Sequence, residues 1–350
     1  MANKYFRQEV LDLPAYHLEA HKGIKLNQNE SPWDIPVDVK TAVVEELLRV
    51  PWNRYPLDDS PTVQKKLARL FNVWPDNILF ANGSNVLIQA LTIATSIERD
   101  IMVVDPTFSV YEIEAKLLGN RIVRVPLNDD FSIPEELFLK TMRKIKPGII
   151  FIPNPNAPTG NLFEDSTIYK IIEQAECLVV IDEAYYPFSD TTYVQAVKDH
   201  DNLVVLRTFS KAFALGGLRL GTMIADAEVC SQVQKCLLPF CVSRLTYAAA
   251  SVILDHVQYM DDYAKVIVEQ REELVELLKR FESIKVYPSK ANFVLFEVPD
   301  ASDLFKKLVH SGVIVRQVND GRRLKNALRV SIGTPEENAH FLQMLSKYVS

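Results

Sequence analysis

The sequence predicts an α/β fold: a large domain with a mostly parallel central sheet covered by helices, joined to a smaller α+β domain. Three observations predict it. Runs such as 101–105 (IMVVD), 148–153 (GIIFIP), 178–182 (LVVID) and 203–207 (LVVLR) are almost wholly apolar rather than alternating, the pattern of strands buried on both faces. Helical periodicities stand between them, as crossovers between parallel strands require. After about residue 246 the texture changes to a Glu-, Lys- and Leu-rich helical stretch followed by a few strands.

In chain order, residues 1–35 read as irregular, with Pro14 and Pro32. Residues 37–50 and 62–72 have the apolar spacing of amphipathic helices. Strand ILFA (78–81) precedes a helix over 85–96, and IMVVD precedes a helix through VYEIEAKLLG. Strands RIVRVP, GIIFIP, LVVID, LVVLR and RLGTMIA (219–225) follow. The second unit begins with a long helical stretch, roughly 246–281. It continues with ANFVLFEV (291–298), a helix over 302–311, VIVRQV, ALRVSIG (327–333) and a final helix from PEENAHF. The predicted domains are 30–250, and 1–29 with 251–350.

Composition removes several classes. At 350 residues and 48% hydrophobic, the chain can bury a large core, so disorder is not expected. A net charge of −6 argues against a nucleic-acid surface. No apolar run approaches the ~20 residues of a membrane span, and MANKYFRQEVLDLPAY lacks a secretory apolar region, so a cytoplasmic setting is expected. Cys177, Cys230, Cys236 and Cys241 form no CxxC pair and read as thiols of a reducing compartment rather than metal ligands or disulfides. A nucleotide-dependent dehydrogenase would need G-x-G-x-x-G after a strand, which is absent. Residues 1–35 are too short and insufficiently basic for a DNA-binding extension.

In an open parallel sheet, ligands bind at the carboxyl ends of the strands. Five such ends carry polar or aromatic groups: Asn82-Gly83-Ser84-Asn85, Pro106-Thr107-Phe108, NPNAPTG (154–160), Asp182-Glu183-Ala184-Tyr185 and TFSKAFALGGLRLG (208–221). Taken singly, each has a plain reading. Ser84 would cap a helix, Asp182 would sit in a surface loop, and Lys211 would be solvated. Together they meet the needs of pyridoxal phosphate. Its aldehyde needs an amine, its ring nitrogen an anion, its phosphate hydroxyls, amides and an arginine fork, and its ring an aromatic face.

These motifs, with LNQNESPW (26–33), NRYP (53–56), DPTFSVY, IDEAYYPF and LRVSIGTPEEN (328–338), resemble the fold-type-I pyridoxal-phosphate-dependent aminotransferases of the aspartate aminotransferase superfamily. Within that superfamily the chain is most similar to the histidinol-phosphate aminotransferases, nearly end to end. The resemblance implies that Lys211 forms the Schiff base and shuttles the proton. It implies that Asp182 pairs with the pyridinium nitrogen and Tyr185 donates to the phenolic oxygen. Ser84, Asn85, Thr208, Ser210 and Arg219 would hold the phosphate, and Phe108 would stack on the ring. Tyr55 would reach the neighbouring subunit's phosphate, implying a homodimer with shared sites. Tyr16, Arg316 and Arg329 would bind the substrate's anionic group. The implied reaction is ping-pong transfer from an amino donor to a 2-oxo acid, with L-histidinol phosphate and 2-oxoglutarate as the pair. An aromatic amino-acid aminotransferase and a phospho-amino-acid decarboxylase share the machinery. One motif departs: Ala157 stands where the family has the asparagine that binds the phenolic oxygen, so either Asn156 substitutes or Tyr185 carries the interaction with water.

Overall fold

A computed structural model describes residues 2–15, 22–57, 59–96, 98–319 and 323–349. Tyr16 lies outside the described residues. The strands, in chain order, are β1 (Ile24–Lys25), β2 (Ile78–Ala81), β3 (Ile101–Asp105), β4 (Ile122–Pro126), β5 (Ile149–Pro153), β6 (Leu178–Asp182), β7 (Leu203–Thr208), β8 (Gly221–Ala225), β9 (Lys285–Val286), β10 (Phe293–Glu297), β11 (Val313–Ile314), β12 (Arg316–Val318) and β13 (Ala327–Ser331).

The central sheet has seven strands in the order β2-β8-β7-β6-β5-β3-β4. Its pairs are parallel except where β8 runs antiparallel to both β2 and β7. The carboxyl ends of the other six strands therefore share one edge, where β8 begins. Because side chains alternate along a strand, Ile150 and Ile152 of β5 join one buried cluster while Ile149 and Phe151 join the other. Both faces are dry, which explains the almost wholly apolar runs. Helix Ser84–Thr95 covers one face with Leu87, Ile88 and Leu91. Helix Asp165–Gln174 covers the other with Ile168, Ile171 and Ile172. Each such side chain, fully buried, contributes about 1.5–3 kcal/mol.

A second, four-stranded antiparallel sheet runs β12-β13-β10-β9, and a separate parallel pair joins β1 to β11. The structure corrects three expectations. The first 35 residues are not wholly irregular: they include helix Gln8–Leu11 and β1. VIVRQV is two strands, not one, because Val313–Ile314 pairs with β1 and Arg316–Val318 with β13.

The helical stretch predicted over roughly 246–281 is interrupted, forming two helices, Arg244–Ile253 and Gln258–Leu278. A local competition explains the break. The Ser251 carbonyl accepts from Lys66 Nζ at 2.8 Å, and the same ammonium holds the Asp255 carboxylate at 2.6 Å. The Asp255 amide donates to Val252 O instead, tightening the turn. No described helix is long and apolar enough to cross a membrane.

Candidate functional site

The sheet edge gathers several of the predicted residues, some of them through close backbone approaches. β8 begins beside the start of helix Ser84–Thr95, and a Cβ on Gly221 would lie 2.2 Å from the Ser84 nitrogen, so only glycine fits. The N-cap of that helix is Gly83, at φ +87°, with no capping side chain; Ser84 is its first residue rather than its cap. A Cβ on Gly83 would lie 2.5 Å from Arg219 Nη2. Arg219 Nη1 in turn donates to Ser210 Oγ at 3.2 Å and to Gly216 O at 3.1 Å. The Ser210 amide donates to Thr208 Oγ1 at 3.1 Å. Thus Ser84, Asn85, Thr208, Ser210 and Arg219 share one corner. It offers an open helix N-terminus, hydroxyls and a guanidinium, a donor set that could hold a phosphate.

One strand over, Asp182 closes β6 and is 4% exposed. Its Oδ2 accepts from Tyr111 Oη at 2.8 Å and its Oδ1 from the Ala184 amide at 3.1 Å. Burial pushes its pKa up to about 6, against these two bonds. Tyr111 is fully buried, stacked on Phe151 at 4.8 Å and met edge-on by Phe108 at 5.6 Å. Phe108 itself is half-buried at the N-cap of helix Ser109–Leu118.

Lys211 follows β7. Burial, then the Arg329 guanidinium, lowers its pKa to about 7, with Glu30 opposing. Its Nζ donates to Gln28 O at 2.7 Å. Arg329 Nη2 donates to the adjacent Asn27 O at 3.2 Å, and Asn29 Nδ2 donates to Tyr185 Oη at 2.9 Å. Three consecutive residues, 27–29, therefore touch three predicted site residues in turn. Phe293 bridges the same groups: its ring lies 5.0 Å from the Arg329 guanidinium carbon and 5.2 Å, edge-on, from the Tyr185 ring.

Arg316 begins β12 and pairs directly with Arg329, which lies inside β13. Arg316 is exposed, and its charge contributes to lowering the Arg329 pKa after burial does. Tyr55 does not join the cluster in this chain. It is 70% exposed and stacked on Phe240 at 4.5 Å. Asn156 is fully buried, with Nδ2 donating to Pro106 O at 3.1 Å and Thr159 Oγ1 at 2.6 Å. Its donors are committed within the protein, and neighbouring Ala157 has none to offer.

Several buried polar atoms at this edge lack partners: Asn27 Oδ1, Thr107 Oγ1, Asn154 Nδ2, Asn156 Oδ1 and Arg329 Nε. Orphaned atoms cost about 1–3 kcal/mol each, and their concentration here fits a site completed by a polar ligand. A carboxylate and an amine are both pushed toward neutrality; the first is suited to a cation beside it and the second to a carbonyl, and pyridoxal phosphate carries both. With the phosphate corner, the donor set fits pyridoxal phosphate. The sequence reading missed Tyr111 and Asn29. The i, i+3 spacing of Phe108, at the N-cap, and Tyr111, in the first turn of the helix it caps, was the available signal for the first. Nothing local marks the second, since its partners are 156 and 302 residues away.

Residues 21–345 match the model of the family described as aminotransferase class I and II. A histidinol-phosphate aminotransferase of Deinococcus radiodurans is 35% identical over 336 residues, covering 95% of this chain and 93% of its own. One from Hydrogenobaculum sp. is 37% identical over 346 residues, covering 98% of each. Among solved structures, the histidinol-phosphate aminotransferase of Sinorhizobium meliloti in complex with pyridoxal-5'-phosphate has the same fold, with a TM-score of 0.87. It is 21% identical, covering 98% of this chain and 96% of that one.

Proposed function

This chain belongs to the family of class I and II aminotransferases, and we propose that it uses pyridoxal phosphate to transfer the amino group of L-histidinol phosphate to 2-oxoglutarate, giving imidazole-acetol phosphate and L-glutamate. The relatives named above support the substrate. The observation that carries it is the direct pairing of Arg316 with Arg329. Two guanidiniums on one sheet face suit a dianionic phosphate, whereas a single carboxylate needs one.

Ser84, Asn85, Thr208, Ser210 and Arg219 would hold the cofactor's phosphate, and Tyr55 of a second copy would add to it. Phe108 would flank the ring. When bound, pyridoxal phosphate supplies an electron sink for charge at the donor's α-carbon. Asp182 would keep a proton on the ring nitrogen, Tyr111 and the Ala184 amide holding the carboxylate in place. Lys211 would anchor the cofactor and move the proton at the α-carbon; a pKa of about 7 suits an amine to that work at neutral pH. Tyr185 would donate to the phenolic oxygen, Asn156 having no donor free, and Tyr16 would close over the substrate phosphate.

The proposed assembly is a homodimer. Trp52, Tyr55, Leu57, Leu238 and Phe240 are exposed apolar side chains, and Tyr55 and Phe240 already stack, surface suited to covering by a second copy. The proposed domains are 30–250, and 1–29 with 251–350, supported by the pairing of β1 with β11. Four free thiols support a cytoplasmic setting. The test is kcat/KM across a panel of amino donors. The expected preference is histidinol phosphate, and a preference for phenylalanine overturns the reading in favour of a general aromatic aminotransferase.

A further inference from the structure

We infer that Asn29 is a positioning residue: it occupies the acceptor side of the Tyr185 hydroxyl and so turns its proton into the site. This rests on the reading above for what the proton meets there. The observation is how fully Asn29 is used. It is 1% exposed, and each of its polar groups has a partner. Its amide nitrogen donates to Ser331 Oγ at 2.8 Å, and Ser331 Oγ donates back to Asn29 Oδ1 at 3.1 Å. Its carbonyl accepts from Asn292 Nδ2 at 3.0 Å. That leaves Nδ2, which reaches Tyr185 Oη at 2.9 Å.

The chemistry follows from what each group can do. An amide NH2 only donates. Tyr185 therefore accepts from Asn29 and must spend its single proton elsewhere. The Ser331 exchange orients the amide, because its hydroxyl proton goes to Oδ1 and leaves the NH2 facing Tyr185. With the amide reversed, Tyr185 would donate to Asn29 and have nothing for a ligand. Asn29 also sits at φ +53°, in the left-handed region that asparagine tolerates better than most residues. The other charged or titratable groups acting on Tyr185 or acted on by it are Asp182, Arg329 and Tyr111. Of these, Asp182 and Tyr111 bond each other and Arg329 lies against Phe293.

The discriminating variant is Asn29→Asp, which keeps the shape and replaces the donor with an acceptor that claims the tyrosine proton. Two measurements separate this inference from the function it rests on. In the cofactor-free full chain, the Tyr185 ring-carbon resonance bonded to oxygen, assigned by its loss in Tyr185→Phe, is expected to move downfield in Asn29→Asp at neutral pH. An unmoved resonance overturns the inference whatever the protein catalyses. In the holoenzyme, the pH titration of the bound pyridoxal chromophore is expected to shift upward in Asn29→Asp. The shift should be about one to two pH units larger with Tyr185 present than in the Tyr185→Phe background, the size of one hydrogen bond to a charged group. Equal shifts in the two backgrounds overturn it, since the added charge alone would then explain them. If Asn29→Asp does not fold, Asn29→Gly keeps the left-handed backbone and is expected to show a shift that Tyr185→Phe abolishes; a shift that survives Tyr185→Phe overturns the inference.

Discussion

Arg316 and Arg329 stand directly opposite each other across the antiparallel pair β12–β13. Opposite residues share a face with their Cβ atoms about 4.5–5.5 Å apart, and like charges so placed destabilise a sheet. An anion between them removes the cost. Arg316→Ala is expected to lower kcat/KM for histidinol phosphate about 10- to 150-fold, from the roughly 1.5–3 kcal/mol of a hydrogen bond to a charged group. For phenylalanine, held by Arg329 alone, the loss is expected to be far smaller. Equal losses for both donors count against a two-arginine phosphate site.

Lys211→Ala is expected to fold and to lose turnover by many orders, because covalent attachment and proton transfer vanish together. Borohydride reduction followed by peptide mapping is expected to place the pyridoxyl group on Lys211; another labelled lysine refutes the assignment. With the amine's pKa lowered to about 7, its reactive neutral form grows as pH rises through about 7. The capture rate of pyridoxal phosphate by cofactor-free protein is expected to climb over the same range and level off above it.

For Asp182 stability and activity are expected to move in opposite directions. The carboxyl of the cofactor-free protein has its pKa raised from 3.8 to about 6. The unfolded chain therefore ionises first, and this group costs stability progressively from about pH 4 to about pH 6 and fully above that. The full cost is about 3 kcal/mol, of order of magnitude only. Asp182→Asn should thus raise the Tm of cofactor-free protein at pH 8 more than at pH 4.5. In the holoenzyme the same change should slow the α-proton step by roughly 3 kcal/mol or more, as for other preorganised electrostatic partners. An unchanged proton step removes Asp182 from the mechanism.

Tyr55 is exposed and remote from Lys211 in sequence, so the shared-site proposal has a genetic test. Mixed dimers of Tyr55→Ala and Lys211→Ala subunits hold one site bearing both lesions and one bearing neither. Partial recovery of activity is expected on mixing. No recovery, with subunit exchange demonstrated, argues that each subunit works alone.

Gly221→Ala would place a methyl group 2.2 Å from the Ser84 nitrogen, which is backbone and cannot rotate away. Displacing the start of that helix should cost about 1–3 kcal/mol of stability and weaken pyridoxal phosphate binding. Wild-type affinity measured by fluorescence titration would show that the phosphate corner does not depend on this close approach.

The sheet was readable because almost wholly apolar runs admit few other burials. Ile149–Pro153 and Leu178–Asp182 differ from their predicted bounds by at most one residue. The strand ends flagged Lys211, Asp182 and Arg219 because polar groups at such positions are costly without a purpose. Two kinds of feature were hidden. The helix break at residues 254–257 depends on Lys66, almost two hundred residues earlier, capturing a carbonyl and a carboxylate. Asn29 shows its role only when Tyr185, Asn292 and Ser331 are brought to it. Periodicity reports what a segment buries, not which distant donor will meet it.

The pairing of β1 with β11 has a consequence in time. Residues 24–25 leave the ribosome early, yet their partners 313–314 follow about 290 residues later. At about 5–20 residues per second, that interval is roughly 15–60 s. Through it, the segment that will touch Lys211, Tyr185 and Arg329 has no strand to pair with, while the central sheet, complete by residue 225, is free to fold. The contacts of residues 27 and 29 with Arg329 and Ser331 also wait for the end of the chain, so a chain released before residue 313 would carry every strand of the central sheet and no partner for β1.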